Sequence, residues 1–153
     1  MKKFIYNMEN ILQIKKKLEN QMEIAYGNAR LRLTTEEEKL EQMKQKKVMY
    51  EDELRFLSSA KLDLIKIKQG EQAIDYMKTN MKLQTTAVKN STQRLEVARI
   101  RLSDAMVERK TQEKLKENAF EEYMLEFDAQ ERKEVDELNS FHYSNPTLDE
   151  EDR

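Results

Sequence analysis

Between Met8 and Leu57 the chain places mostly apolar residues in alternating steps of three and four. The row reads Met8, Ile11, Lys15, Leu18, Met22, Ala25, Ala29, Leu33, Glu36, Leu40, Met43, Lys47, Tyr50, Leu54 and Leu57, and only Lys15, Glu36 and Lys47 break it. This spacing follows one side of an α-helix. The stripe is about two residues wide per heptad, which suits a partner helix better than a globular core. Two successive steps of four at Ala25, Ala29 and Leu33 form a stutter that relaxes a left-handed supercoil locally. A second row runs through Ile74, Met77, Met81, Gln84, Val88, Ser91, Leu95, Ala98, Leu102 and Ala105. Polar Gln84 and Ser91 loosen its middle and can set register. Beyond Ala105 the apolar phase is lost through Arg109 and Gln112, and apolar positions resume at Leu115, Ala119, Tyr123 and Phe127.

The two rows predict an all-α chain: two long helices in an antiparallel coiled-coil hairpin, elongated, with helices over 4–57 and 63–140 and a turn over 58–62. Asn7 or Asn10 could cap an alternative start of the first helix. Thr34 and Thr35 precede Glu37 and Glu38 at capping-box spacing, but the unbroken row argues against a helix start there. At the turn, Ser58, Ser59 and Ala60 interrupt the charged heptads, and Ser59 with Asp63 in the following turn makes an N-cap for the second helix. Gly70 is the competing turn site, weakened by the strong helix formers around it. Gly27 costs about 1 kcal/mol relative to alanine, too little to break so long a helix. After Phe141, Pro146 ends helix, and 142–153 reads as a disordered acidic tail.

A turn near residue 60 pairs position i with roughly position 120 minus i, so the first helix is exhausted near residue 116. The second then runs on alone for roughly 35 Å. Phe120, Tyr123 and Phe127 share a face of that overhang, with Met124, Leu138 and Phe141 on or near it. An apolar face with nothing of its own to cover it points to another protein. A folded-back tail or a homodimer contact would also cover it.

Composition narrows the class further. Of 153 residues 38% are charged, with two glycines, one proline and a formal net charge of -2. So few turn formers leave little room for loops. Charges of both signs alternate along most of the chain, without the concentrated positive face that nucleic-acid binding requires. Without cysteine there is no disulfide, thiolate metal site or cysteine nucleophile. No stretch resembles a signal peptide or reaches the roughly 20 apolar residues of a membrane span. His142 is the sole histidine. The carboxylates, spaced three or four apart on solvated faces, lack the desolvation that acid–base work demands. Met8, Met22, Met43, Met77 and Met81 mostly occupy seam positions, where core filling is their ordinary role. The residues describe a non-enzymatic chain that needs no cofactor or metal.

The two ends carry a family resemblance. Phe4, Ile5, Tyr6, Asn7, Met8, Glu9, Asn10, Ile11, Leu12, Ile14 and Lys15 resemble the opening of the flagellar export protein FliJ family, an aromatic pair ahead of a Leu/Ile-rich turn and a basic residue. Glu108, Arg109, Lys110, Glu113, Lys114, Leu115, Lys116 and Glu117, then Tyr123, then Gln130, Glu131, Lys133, Glu134, Asp136 and Glu137 are similar to its C-terminal pattern. Their order and separation, extending through Leu138, give the resemblance its specificity. It implies a cytoplasmic component of the flagellar type III export apparatus, peripherally associated with the membrane machinery, without insertion into the bilayer and monomeric alone. Its fold would be a coiled-coil hairpin similar to the stalk of rotary ATPases. The implied partners are the hexameric export ATPase (FliI-like), the export gate protein (FlhA-like) and substrate chaperones. By position, the ATPase would meet Phe4, Tyr6, Ile11, Lys15, Leu115, Phe120, Tyr123, Phe127, Gln130, Glu131 and Asp136. The gate would meet Gly70, Ile74, Met77 and Met81. Ile67 and Gly70 stand where family members often carry aromatic residues, and the acidic residues after Pro146 lie outside the family pattern. A generic coiled-coil tether or homodimer, or the stalk of a needle-type secretion system, would share the seam.

Overall fold

The computed structural model describes residues 2–59 and 63–144, which form two long α-helices packed against each other: α1 (Glu9–Ser59) and α2 (Leu64–Ser144). Among the described residues there is no strand. The turn expected over 58–62 falls partly on residues 60–62, outside the described residues, as does most of the acidic tail, 145–153. Ser58 and Ser59 belong to α1, and their hydroxyls donate back to the carbonyls of Leu54 and Phe56 at 2.8 and 2.9 Å.

The start of α2 is set by Asp63 rather than Ser59. The Asp63 carboxylate accepts from the N–H groups of Ile65 (3.2 Å) and Lys66 (3.4 Å), while its carbonyl accepts from Ile67. A short acidic side chain in this position satisfies N–H groups that no helical turn can reach. Gly70 lies inside α2, and Thr34 and Thr35 lie inside α1 with hydroxyls donated to the carbonyls of Arg30 and Leu31. Neither site breaks its helix.

The first helix begins at Glu9, later than the position 4 that the apolar pattern suggests. Two carbonyls upstream are engaged elsewhere: that of Tyr6 accepts from Glu9 in a tight turn (3.2 Å), and that of Lys2 accepts from the Tyr123 hydroxyl. Neither serves the i→i+4 ladder that a longer helix would need.

The chain divides into two compact units, Leu18–Ala105 and Met1–Lys17 with Met106–Arg153. In the first, the α1 row runs Leu18, Met22, Tyr26, Ala29, Leu33, so the two successive steps of four fall at Leu18, Met22 and Tyr26, seven residues earlier than the sequence suggests. Tyr26 is half-buried and Ala25 exposed, so the residue with the larger apolar body takes the seam. From α2, Ile74, Met77, Ser91 and Ala105 are buried. The polar breaks of the two rows meet. Gln84 donates its amide to both the carbonyl (2.9 Å) and the carboxylate (2.5 Å) of Glu36. Satisfied in this way, a polar pair in an apolar seam favours one register over its neighbours. Numbers paired across the helices sum to 120 for Glu36 with Gln84 and to 124 for Leu54 with Gly70, in antiparallel register.

In the second unit the α2 row keeps its phase. Arg109, Gln112, Lys116, Ala119, Tyr123 and Phe127 continue in steps of three and four, all at least partly covered. What changes after Ala105 is chemistry, since Lys116 takes the place expected of Leu115, which is 44% exposed. Long stems of lysine and arginine cover a seam while their charged ends reach a partner. Lys116 pairs with Glu9 and Arg109 with Glu113, each at 2.8 Å. On α1 the anchor is Leu12, 1% exposed, while Ile11 and, just before the helix, Met8 turn outward.

Candidate docking surfaces

The N-terminal residues are held on α2 by aromatic packing. The Phe4 ring meets Phe120 edge-on with centroids 5.2 Å apart and Tyr123 at 5.4 Å. Tyr123 in turn lies 6.2 Å from Phe127. The Tyr123 hydroxyl donates to the Lys2 carbonyl at 2.7 Å, and the Tyr6 hydroxyl donates to Gln112 Oε1 at 3.4 Å. Ring pairs at these separations are favourable beyond their buried area. The aromatic face expected to be bare from residue 116 is therefore partly covered by the chain itself. Phe4 provides that cover.

Ion pairs fasten the same unit. Lys15, one of the breaks in the α1 row, reaches Glu108 at 2.8 Å. Glu9 Oε2 is shielded from water and lies 2.8 Å from Lys116 Nζ, while Glu9 Oε1 accepts from Gln13. The Lys116 ammonium first, and the Gln13 amide second, hold the Glu9 carboxyl below the usual carboxylate range.

Of the residues assigned to the ATPase, Phe4, Tyr6, Lys15, Phe120, Tyr123 and Phe127 are thus gathered in one unit, while Ile11 and Leu115 turn outward. Gln130, Glu131 and Asp136 lie on a different surface. From Asp128 to Ser144 every residue of α2 is exposed, and this stretch carries Val135, Leu138 and Phe141 without cover among the described residues. Among the described residues Gln130 donates only along its own helix, to Glu134. The uncovered helix begins after Phe127, about a dozen residues later than the pairing arithmetic suggests, because the N-terminal segment extends the partnering beyond the start of α1. His142 is helical, with its ring against Phe141.

The residues assigned to the gate have another occupation. Ile74 and Met77 are each 8% exposed and belong to the seam with α1, Met81 is half-buried, and a Cβ on Gly70 would meet Leu54 Cδ1 at 3.1 Å. The three-four spacing delivers Ile74 and Met77 to α1, which leaves their side chains little open surface. The same stretch presents Tyr76 (68% exposed) and Leu83 (67%), seven residues apart on one side of α2. That pair was legible as an off-seam apolar repeat.

Among the described residues no helix is long and apolar enough to cross a membrane, and no group of acidic or histidine side chains converges as metal ligands would. The arrangement suits protein contacts at helix surfaces. In comparison with known proteins, the model of the family described as Flagellar FliJ protein matches residues 4–147. No curated protein and no solved structure gives a match.

Proposed function

The chain belongs to the flagellar FliJ protein family, and from that premise we propose that it is a non-enzymatic stalk of the export apparatus. It binds the hexameric export ATPase through the unit that holds both ends of the described chain. Phe4, Tyr6, Lys15 and Tyr123 shape that unit, and the uncovered helix with Gln130, Glu131 and Asp136 supplies the contact surface. The early part of α2 meets the export gate protein through its outward side, Tyr76 and Leu83, while Ile74 and Met77 keep the helix pair together. Substrate chaperones are further partners. The chain works peripherally at the membrane export machinery, without chemistry of its own.

One observation carries the reading: a helix with apolar Val135, Leu138 and Phe141 continues fully exposed beyond the residues that partner it. A face of that kind is costly to leave in water and is the form in which helices engage grooves of other proteins. The test is binding of Glu131→Ala plus Asp136→Ala to the purified export ATPase. Both positions are exposed and neither side chain has an ion pair among the described residues, so circular dichroism stays unchanged. The expected result is about tenfold weaker binding, the loss typical of a charged contact. Unchanged affinity would remove the uncovered helix from the contact.

A further inference from the structure

Within the Leu18–Ala105 unit, one side of the helix pair forms an open groove. Met22, Ala25 and Ala29 of α1 stand opposite Arg94, Val97 and Arg101 of α2. The floor exists because Tyr26 fills the seam and leaves Ala25 beside it with a single methyl group. Where contact residues are small, the ridges of a further helix can approach two packed helices closely.

Charge specifies what fits. Five of the chain's nine arginines fall within residues 30–32 and 94–101, whereas its cations elsewhere are mostly lysines. Arg99 is engaged with Glu96 at 2.5 Å. Arg94 and Arg101, at the groove, have neither ion pair nor hydrogen bond among the described residues. Seven residues apart, they lie on the same side of α2, separated by about 10 Å. Guanidinium groups take carboxylates through two parallel N–H···O bonds, a geometry that lysine cannot offer.

We propose that this groove docks an acidic amphipathic helix of another protein. Its small apolar side chains rest on Ala25, Ala29 and Val97, and two of its carboxylates, seven residues apart, engage Arg94 and Arg101. Duplex nucleic acid offers phosphates but nothing for the apolar floor. The groove and the termini belong to different units, so the proposal stands or falls independently of ATPase binding. A second copy of this chain is the competing occupant, because α2 carries its own acidic stretch between Glu121 and Glu137.

The experiment titrates the full chain against a labelled helical peptide of about 18 residues, five turns long. One face of the peptide bears leucine and alanine, with glutamates seven apart beside it. A twin has lysines in place of those glutamates, and anisotropy reads binding. The glutamate peptide is expected to bind saturably and about tenfold more tightly than its twin. Arg94→Glu plus Arg101→Glu reverses that preference, and Ala25→Glu weakens binding of the glutamate peptide. Absence of binding, equal affinity for both peptides, or an arginine variant that binds like the parent overturns the proposal. If circular dichroism shows that the arginine variant has lost helix, Ala25→Glu decides, and undiminished binding to it overturns the proposal. Sedimentation velocity separates the second occupant: self-association abolished by the arginine variant assigns the groove to another copy and overturns the external helix.

Discussion

Replacing Phe4 by alanine tests whether the N-terminal segment is a cover held by aromatic packing. Truncating a fully buried phenylalanine costs about 3–5 kcal/mol. Phe4 is only half-buried, and its ring contacts are the pairs with Phe120 and Tyr123 at 5.2 and 5.4 Å. Each such pair is worth about 0.5–1.5 kcal/mol, so about 2 kcal/mol is the expected loss for Phe4→Ala. The loss is local. Besides Phe4, residues 2–8 are held to α2 by the bonds from Tyr123 to Lys2 and from Tyr6 to Gln112, and bonds of this kind contribute about 1 kcal/mol each. Opening of the segment becomes about thirtyfold more populated, at 1.4 kcal/mol per factor of ten, and tryptic cleavage after Lys2 and Lys3, which needs the segment free of α2, accelerates by that factor. Amide exchange at buried Ile74 and Met77 stays as in the parent. Mass spectrometry reads both. Unchanged cleavage at Lys2 and Lys3 would show that the rings do not hold the segment. Accelerated exchange throughout the chain would show that the cluster belongs to one cooperative core with the rest.

Two further substitutions follow from the geometry. Gly27→Ala stabilises by about 1 kcal/mol in urea unfolding, because a Cβ there meets nothing within 4 Å and only the helix preference changes. Gly70→Ala gains less, since the tip of Leu54 must move from 3.1 Å, and Gly70→Leu destabilises by overpacking; equal gains at both glycines would refute the contact. Acid titration tests the Glu9–Lys116 pair. A carboxyl whose folded pKa is depressed contributes its stability above the ordinary glutamate value and loses it as pH falls toward the lowered one. The melting difference between the parent and Lys116→Gln therefore shrinks across that interval, and a difference that grows on acidification would contradict the pairing.

Much of the fold can be read from residue spacing because a seam repeats locally. Leu33, Leu40, Met43 and Leu54 lie where their three-four steps put them. Less legible is which of two neighbours faces the partner. Ala25 and Tyr26, or Leu115 and Lys116, differ by one position, and apolar type alone selects the wrong member of the second pair. The surfaces were legible to a lesser extent still. Phe120, Tyr123 and Phe127 could be assigned to one face from their spacing, but Phe4 comes against that face from more than a hundred positions away. Ile74 and Met77 were readable as seam residues, and both are buried there.

The sequence by itself determined helix nearly throughout, two rows with one interruption near residue 60, and antiparallel register close to 120 minus i. These depend on rotamer-tolerant residues, scarce turn formers and a periodicity carried within each helix. Tertiary structure alone decided three matters: Glu36 and Gln84 satisfy one another, Lys116 continues the seam through Glu9, and the segment before Glu9 leaves the helix to cover α2 with Phe4. Each depends on what the opposite helix presents at a given height. A long cation or a polar amide is stable in a seam only where a partner satisfies it, and no local pattern states where that partner will be.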